Sequence, residues 1–536
     1  MSSMIVFEEE RVPLLENSAS PIPHEDEEIS LYNEPNTSCP DSSTQNQTQR
    51  LVSLDVFRGL TIALMILVDD AGGAFPSINH SPWFGITIAD FVVPFFLFSV
   101  GISISLVFKK ISSRSKATKK VILRTVKLFV LGVALQGGYF HGRGNLTYGV
   151  DLGKIRWLGI LQRISVGYCL ASLSEIWLVE DIVVDSTLTF LRKYYIQGMV
   201  AMLLFISYMC LLYGLFVPNW EFEIPGINTT LSSSSYASSN QIVYCGVRGS
   251  LEPPCNAAGL IDRFFVGQHH LYQHPVYRRM EECSINSPDY GPLPPNSPGW
   301  CLAPFDPEGI LRFTFGICAD ALSAFDSSFM AAITCFLGLH FGHIIVHYKD
   351  YRQRVIMWSI SFFPVLILGY VLNVLGIPFC KPLFTLSYMC ITAGASGFLL
   401  TIIFYIVDVK HLRKPTMLLQ WMGMNALLIY ALAACELLPV ALQGFYWRSP
   451  EYNLDFLGIH CSTLQLGVHD ESLDLANLIL VEAVTLLLGT VDGTESLLQA
   501  MLRSKRWGTL AFVMVEILFW GLVAGYLHVK RTYIKL

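Results

Sequence analysis

Residues 51–108 read LVSLDVFRGLTIALMILVDDAGGAFPSINHSPWFGITIADFVVPFFLFSVGISISLVF. The apolar runs Leu51–Val68 and Gly85–Phe108 each approach the roughly 20 residues that a helix needs to cross a bilayer. Between them lies a short polar hairpin with Asp69, Asp70, Gly72, Gly73, His80 and Trp83, while Asp55, Arg58 and Asp90 sit within or at the ends of the runs. Ionisable side chains are costly in lipid, and those that occur there mark functional sites by default. The hairpin is therefore the candidate site.

Working outward, the chain has the composition of a polytopic membrane protein. Its 536 residues are 52% hydrophobic and only 15% charged, against about 25% charged in soluble domains, and mean hydropathy is +0.47. The net charge of −6 says little, because the acids concentrate in the N-terminal tail. No basic stripe with interleaved aromatics is present, so a nucleic-acid partner is not expected.

Residues 1–49 are polar, with no apolar leader, and read as a disordered cytosolic tail. Within them Glu10–Leu15 (ERVPLL) has the acidic dileucine form read by cytosolic sorting adaptors; a plain disordered tail is the alternative. Lys and Arg cluster on the cytosolic side of membrane segments. The run Lys109, Lys110, Arg114, Lys116, Lys119, Lys120, Arg124, Lys127 therefore sets the frame.

In that frame the fold class is all-α and polytopic, with ten spans, among them Val121–Gln136, Tyr195–Val217 and Met417–Leu438, or eleven if Leu473–Gly489 crosses, and both termini are cytosolic. Residues 50–217 carry spans one to five and the His80 hairpin. Residues 218–310 form a lumenal loop, and 311–536 carry spans six to ten. The loop contains Cys245, Cys255, Cys283 and Cys301. On an oxidising side these form two disulfides in any of three connectivities, with zinc as the lesser alternative. Asn145 and Asn228 head glycosylation sequons.

Histidine takes or gives a proton near neutral pH and can accept an acyl group. Asp69 and Asp90 bracket His80, and a neighbouring carboxylate can fix its tautomer. The competing reading is an interfacial loop with acids that hydrate helix mouths. Asp55 and Arg58, three apart on one helix face, can pair or hold an anion. Gln162 and Arg163 lie inside the fourth span, where an arginine needs a partner and phosphate fits its fork; an interhelical salt bridge is the alternative. Asp262 and Arg263 precede a histidine-rich stretch with His269, His270 and His274. Its spacing lacks a helical HxxxH pair or a following carboxylate, so recognition or packing is favoured over metal, and no metal site is expected. Asn425 can hydrogen-bond across helices or contact a ligand.

Several motifs now coincide in order. SLDVFRG (53–59), HSPW (80–83), Ala89–Asp90, LQR (161–163), GLIDR (259–263), HLYQHP (270–275), DPEG (306–309), WMGMNA (421–426) and RWGT (506–509) resemble the heparan-alpha-glucosaminide N-acetyltransferase family, lysosomal transmembrane acetyltransferases, and most closely its plant members. The resemblance implies acetyl transfer from cytosolic acetyl-CoA to a lumenal amino sugar, with no permanently bound cofactor. It places the active histidine on His80 and a supporting aspartate on Asp90. The family's supporting asparagine falls on Asp69, which leaves the acceptor open, since plants are not expected to make heparan sulfate. It implies a vacuolar or lysosome-like membrane, with a homodimer as one assembly. The large N-terminal lumenal domain and extra first span of the animal enzymes have no counterpart here. Residues 313–328 and 458–493 read as insertions or gene-model artefacts. A secondary transporter or sugar carrier is the competing class, but transporters place broken helices near the midplane, whereas polar groups here gather at one mouth.

Overall fold

The computed structural model describes residues 51–109, 113–136, 159–180, 182, 184, 186–223, 240–265, 275–303, 326–434, 498–531 and 533. The expectations for Glu10–Leu15, Asn145, Asn228, His270, His274, 458–493 and Leu473–Gly489 fall outside them, as does most of 313–328.

Among these residues the protein is a helical bundle with one small β-containing excursion. The helices are α1 (Val52–Ala71), α2 (Ile88–Val107), α3 (Arg114–Gln136), α4 (Ile160–Trp177), α5 (Thr187–Gly214), α6 (Ala257–Phe265), α7 (Asp326–His347), α8 (Tyr351–Val374), α9 (Leu386–Phe404), α10 (Met417–Met424), α11 (Ala426–Ile429) and α12 (Lys505–Val529). Five described segments are long and apolar enough to span a membrane: Ile88–Val107, Thr187–Gly214, Tyr351–Val374, Leu386–Val409 and Lys505–Val529. Helix α1 is as long as α2 but carries Asp55, Arg58, Asp69 and Asp70.

Several boundaries differ from the sequence reading. Helix α3 starts at Arg114 rather than Val121 and so absorbs much of the basic cluster; Lys and Arg are good helix formers whose stems lie along apolar surface. Helix α5 starts at Thr187 rather than Tyr195, because Ser186 and Thr189 form a reciprocal cap. The expected span from Met417 breaks at Asn425 and continues through a π turn, Tyr430–Ala434. The polar loop contains strands that were not anticipated: β1 (Phe216–Val217) pairs antiparallel with β4 (Val247–Arg248), and β2 (Trp220–Glu223) with β3 (Asn240–Val243).

The bundle is organised as a lipid-embedded protein would be. Leu203 and Ile206 on α5, Ile360 and Ile367 on α8, and Leu518 and Leu522 on α12 are all exposed, an apolar outer surface of the kind membranes cover. The interior is rich in small and hydroxylated residues: Ser387, Thr392, Ser396 and Thr401 of α9 are all buried.

Small residues let helix backbones approach closely, and two crossings depend on them. A Cβ at Gly59 of α1 would meet the Leu419 carbonyl of α10, and one at Gly423 would meet the Asp55 carbonyl. Gly101 of α2 and Gly338 of α7 stand in the same relation to Cys335 and Phe98. In both crossings each glycine faces the carbonyl three to four residues before its opposite number, and the paired helices run parallel: the ends of α2 and α7 line one cavity, and Ser53 at the start of α1 donates to Asp408 on the segment leading into α10. Helices α8 and α9 run antiparallel, with Gly369 against Ser387 and Ile391 and Gly394 against Leu366.

Gly423→Val is expected to destabilise the bundle by about 1–3 kcal/mol through overpacking. Gly198→Ala, where an added Cβ meets nothing within 4 Å, serves as the neutral comparison. Melting curves of detergent-solubilised protein followed by size-exclusion chromatography would show a lower midpoint for the first only.

Candidate functional site at the mouth of α1 and α2

The turn before α2 is built by its own sequence. Thr87–Ile88–Ala89–Asp90 is a capping box: the Thr87 N–H and hydroxyl both donate to Oδ2 of Asp90, each at 3.0 Å. Ser81 N–H also reaches Oδ2, at 3.4 Å. Asp90 is fully buried, and its own carbonyl accepts from the Tyr388 hydroxyl of α9 at 2.6 Å.

Its second oxygen faces two groups. Nδ1 of His80 lies 3.1 Å from Oδ1 of Asp90, and Nζ of Lys381 lies 3.4 Å from the same oxygen. Lys381 Nζ is also 2.8 Å from His80 Nδ1. Lys381 arrives from the α8–α9 connection, which is pinned to the hairpin by the Gly85 N–H to Phe379 carbonyl bond (2.8 Å) and by an antiparallel bridge between Phe84 and Cys380. Gly85 adopts φ +106°, a conformation glycine reaches without steric cost.

A third segment clamps the hairpin from the strand-containing loop. The Arg279 guanidinium donates to the His80 and Ser81 carbonyls. Trp83, fully buried, donates from Nε1 to the Leu251 carbonyl at 2.9 Å and meets Tyr277 edge-on. The loop carries disulfides Cys245–Cys255 and Cys283–Cys301, one of the three connectivities left open by the sequence.

The arrangement controls a tautomer. Nδ1 of His80 cannot both donate to Asp90 and accept from a Lys381 ammonium. When Asp90 holds the Nδ1 proton, Nε2 carries the lone pair and serves as base or nucleophile; when Lys381 donates to Nδ1, Nε2 carries the proton. Burial and the Lys381 charge push the His80 pKa below its ordinary value, against the opposing pull of Asp90, so the imidazole is neutral at neutral pH.

The other expected residues are placed as follows. Asp69 is exposed on the last turn of α1. Asp55 and Arg58 form an ion pair at 3.1 Å near the opposite end of that helix. Gln162 and Arg163 are buried in the first turn of α4. Leu161 beside them packs in one cluster with Ala89 and Val92, the neighbours of Asp90. Asn425 is buried at the α10–α11 break. Among the described residues the side-chain amides of Gln162 and Asn425 have no hydrogen-bond partner. Arg263 stacks its guanidinium 4.0 Å above the Trp220 ring, and the Asp262 side chain lies outside the described residues. No group of three metal-ligating side chains occurs among the described residues.

Sequence reasoning missed Lys381, Arg279, Tyr388 and the cap role of Thr87. Two signals were available: the T-x-x-D capping pattern, and a lysine in the turn between an outgoing and a returning span, where the charge rule leaves few cations.

These features define a class: an all-α protein with membrane-length helices and a histidine–carboxylate–lysine cluster at one helix mouth. Residues 50–221 match the family model described as "Heparan-alpha-glucosaminide N-acetyltransferase, catalytic", the family that the motifs resemble. The chain is 28% identical over 405 residues to heparan-alpha-glucosaminide N-acetyltransferase of Mus musculus, covering 72% of this chain and 53% of the mouse protein. It is 27% identical over 400 residues to the Homo sapiens enzyme, covering 71% and 52%. The chain thus spans about half the length of the relatives it matches.

If His80 acts as a base or nucleophile, kcat/KM rises with pH through a His80 pKa that lies below the ordinary histidine value. Lys381→Met removes a charge that lowers this pKa, so the acid limb of the pH–rate profile moves to higher pH. Asp90→Asn removes one that raises it, so the limb moves to lower pH while the rate falls. Steady-state kinetics across pH 4.5–8 (roughly the span in which histidines titrate) measure both shifts.

Proposed function

We propose that the protein is a transmembrane N-acetyltransferase that takes acetyl from cytosolic acetyl-CoA and delivers it to an amino sugar or related amine in the lumen of a vacuole- or lysosome-like compartment. The observation that carries this reading is the His80–Asp90–Lys381 cluster at the helix mouth, whose His80 and Asp90 lie in the region that matches an N-acetyltransferase catalytic family. In the proposed topology ten spans leave both termini in the cytosol, and the hairpin and the disulfide-bearing loop face the lumen. The relative helix directions support that frame: α1 and α10 run together, as do α2 and α7.

CoA is polyanionic and stays on its own side of the membrane, while its acetyl thioester enters between the helices. His80 works at Nε2 with its Nδ1 proton held by Asp90. In one route Nε2 attacks the thioester carbonyl; the C–S bond breaks, CoA leaves as thiolate, and the acetyl-imidazole is then attacked by the sugar amine. The amine nitrogen forms the amide, the imidazole leaves, and the amine proton passes to solvent. In the other route Nε2 removes that proton while the amine attacks the thioester directly; the C–S bond breaks and the CoA thiolate leaves, taking the proton back from the imidazolium. In either route the Asp90 carboxylate offsets the positive charge that the imidazole gains, while the Lys381 charge opposes it and favours its return to the neutral form. We further propose that exposed Asp69, where the family pattern has asparagine, tunes acceptor choice, and that Gln162, Arg163 and Asn425 line the donor path. A sorting adaptor at Glu10–Leu15 and a homodimer complete the proposed partners.

Sealed proteoliposomes with labelled acetyl-CoA outside a cytosol-out protein and glucosamine inside test the reading. N-acetylglucosamine is expected within the vesicles, with His80→Ala reducing its rate by about 10²–10⁴-fold. An unaltered rate in that variant removes the proposed mechanism, and entry or exit of unmodified sugar would make the protein a carrier instead.

A further inference from the structure

At the far end of α2, fifteen residues or about 22 Å along the helix from Asp90, lies a cavity of about 140 Å³ that the proposed chemistry does not use. It opens where α2, α4 and α7 end and α3 and α5 begin. Its inner wall is a buried polar network. Nε2 of His343 is 3.0 Å from Oε2 of Glu175, which also accepts from Gln197 Nε2 at 2.8 Å. The Tyr194 ring stacks on His343 with centroids 3.7 Å apart, and its hydroxyl meets Nε2 of His347 at 2.8 Å.

The rim is cationic: Lys109, Arg114 and Lys193 all line it. Lys193 is anchored by donating to the Ile182 carbonyl at 2.9 Å. Among the described residues no hydrogen bond or ion pair holds the head of Lys109 or Arg114. Cations near helix C-termini offset the negative end of the dipole, which accounts for their presence there but not for their convergence on one cavity. Three cations, Lys109, Arg114 and Lys193, against the single carboxylate of Glu175 leave a net positive charge facing that space. A phosphate monoester carries about −1.5 to −2 at pH 7 and offers three acceptor oxygens, and the Arg fork and Lys ammonium are the side chains suited to it. The volume accommodates a phosphate group.

We propose that this cavity is a binding site for a phosphate monoester, with Arg114, Lys109 and Lys193 as its cation partners. Two sources share that chemistry: the 3′-phosphate of CoA and the headgroup of a lipid such as phosphatidic acid. The CoA assignment rests on the acetyl-transfer reading and on the proposed topology, which puts this end of the bundle in the cytosol; the phosphate assignment does not.

The test uses the full-length protein in phosphatidylcholine nanodiscs, titrated with CoA and with 3′-dephospho-CoA, and separately in nanodiscs doped with phosphatidic acid. If CoA is the source, it binds at least 10-fold more tightly than dephospho-CoA, and Lys109→Gln with Arg114→Gln abolishes that difference. The charge-preserving pair Lys109→Arg with Arg114→Lys retains most of it and controls for folding. If lipid is the source, phosphatidic acid binds with the same dependence on the two cations and CoA does not discriminate. Binding of CoA and phosphatidic acid that is equal in wild type and the Gln pair overturns the site. Acetyl transfer by wild type in the vesicle assay, together with that result, would leave the enzyme reading standing and the pocket refuted; cation-dependent phosphatidic acid binding without acetyl transfer would do the reverse.

Discussion

A carboxylate with no exposure to water sits at the start of α2, and the mouth of the bundle is arranged around it. Moving such a charge out of water costs several kcal/mol unless hydrogen bonds and an opposite charge offset it. Asp90 meets that demand with both oxygens: Oδ2 takes the Thr87 and Ser81 donors, and Oδ1 faces His80 and Lys381. The same side chain therefore begins a helix, orients an imidazole and fixes the turn between α8 and α9. Loss of its charge would disturb the cap, the histidine and the lysine together.

The bundle beneath is held by a different kind of constraint. Lipid tails are as apolar as leucine, so apolar burial alone does not draw helices together in a membrane, and close packing has to do so. The Gly59–Gly423 and Gly101–Gly338 crossings bring backbones within reach of each other's carbonyls. The first fixes α1, which leads into the hairpin, and the second fixes α2, which leads away from it. The hairpin is thus suspended between two crossings that tolerate no Cβ, which is how a loop histidine on flexible-looking sequence comes to hold a defined position against Asp90.

What the sequence made legible followed from composition and local pattern. Membrane-length apolar runs, the His80 hairpin and the pairing of Asp90 with His80 could all be read from neighbouring residues, and the motifs resembled the family whose model matches residues 50–221. Helix starts were less legible, because Lys and Arg at Arg114–Lys120 and Arg192–Lys193 look like loop charges but extend helices into the interface. The missing parts of the site were remote in sequence. Lys381 lies 301 residues from His80 and Arg279 lies 199 away, and no periodicity or spacing links positions so far apart. The four cysteines announced disulfides but not their pairing, which depends on how β1–β4 and β2–β3 close.

That separation also orders events during synthesis. Thr87, Ser81 and His80 all lie within ten residues of Asp90, so the hairpin can satisfy the carboxylate's hydrogen bonds as soon as it emerges. The cation comes much later: at about 5–20 residues per second, the 301 residues between His80 and Lys381 occupy the ribosome for about 15–60 s. Throughout that interval Asp90 has its hydrogen-bond partners and its histidine but not the lysine that faces the same oxygen. The cluster is complete only once Lys381, between α8 and α9, has been made and brought against Asp90.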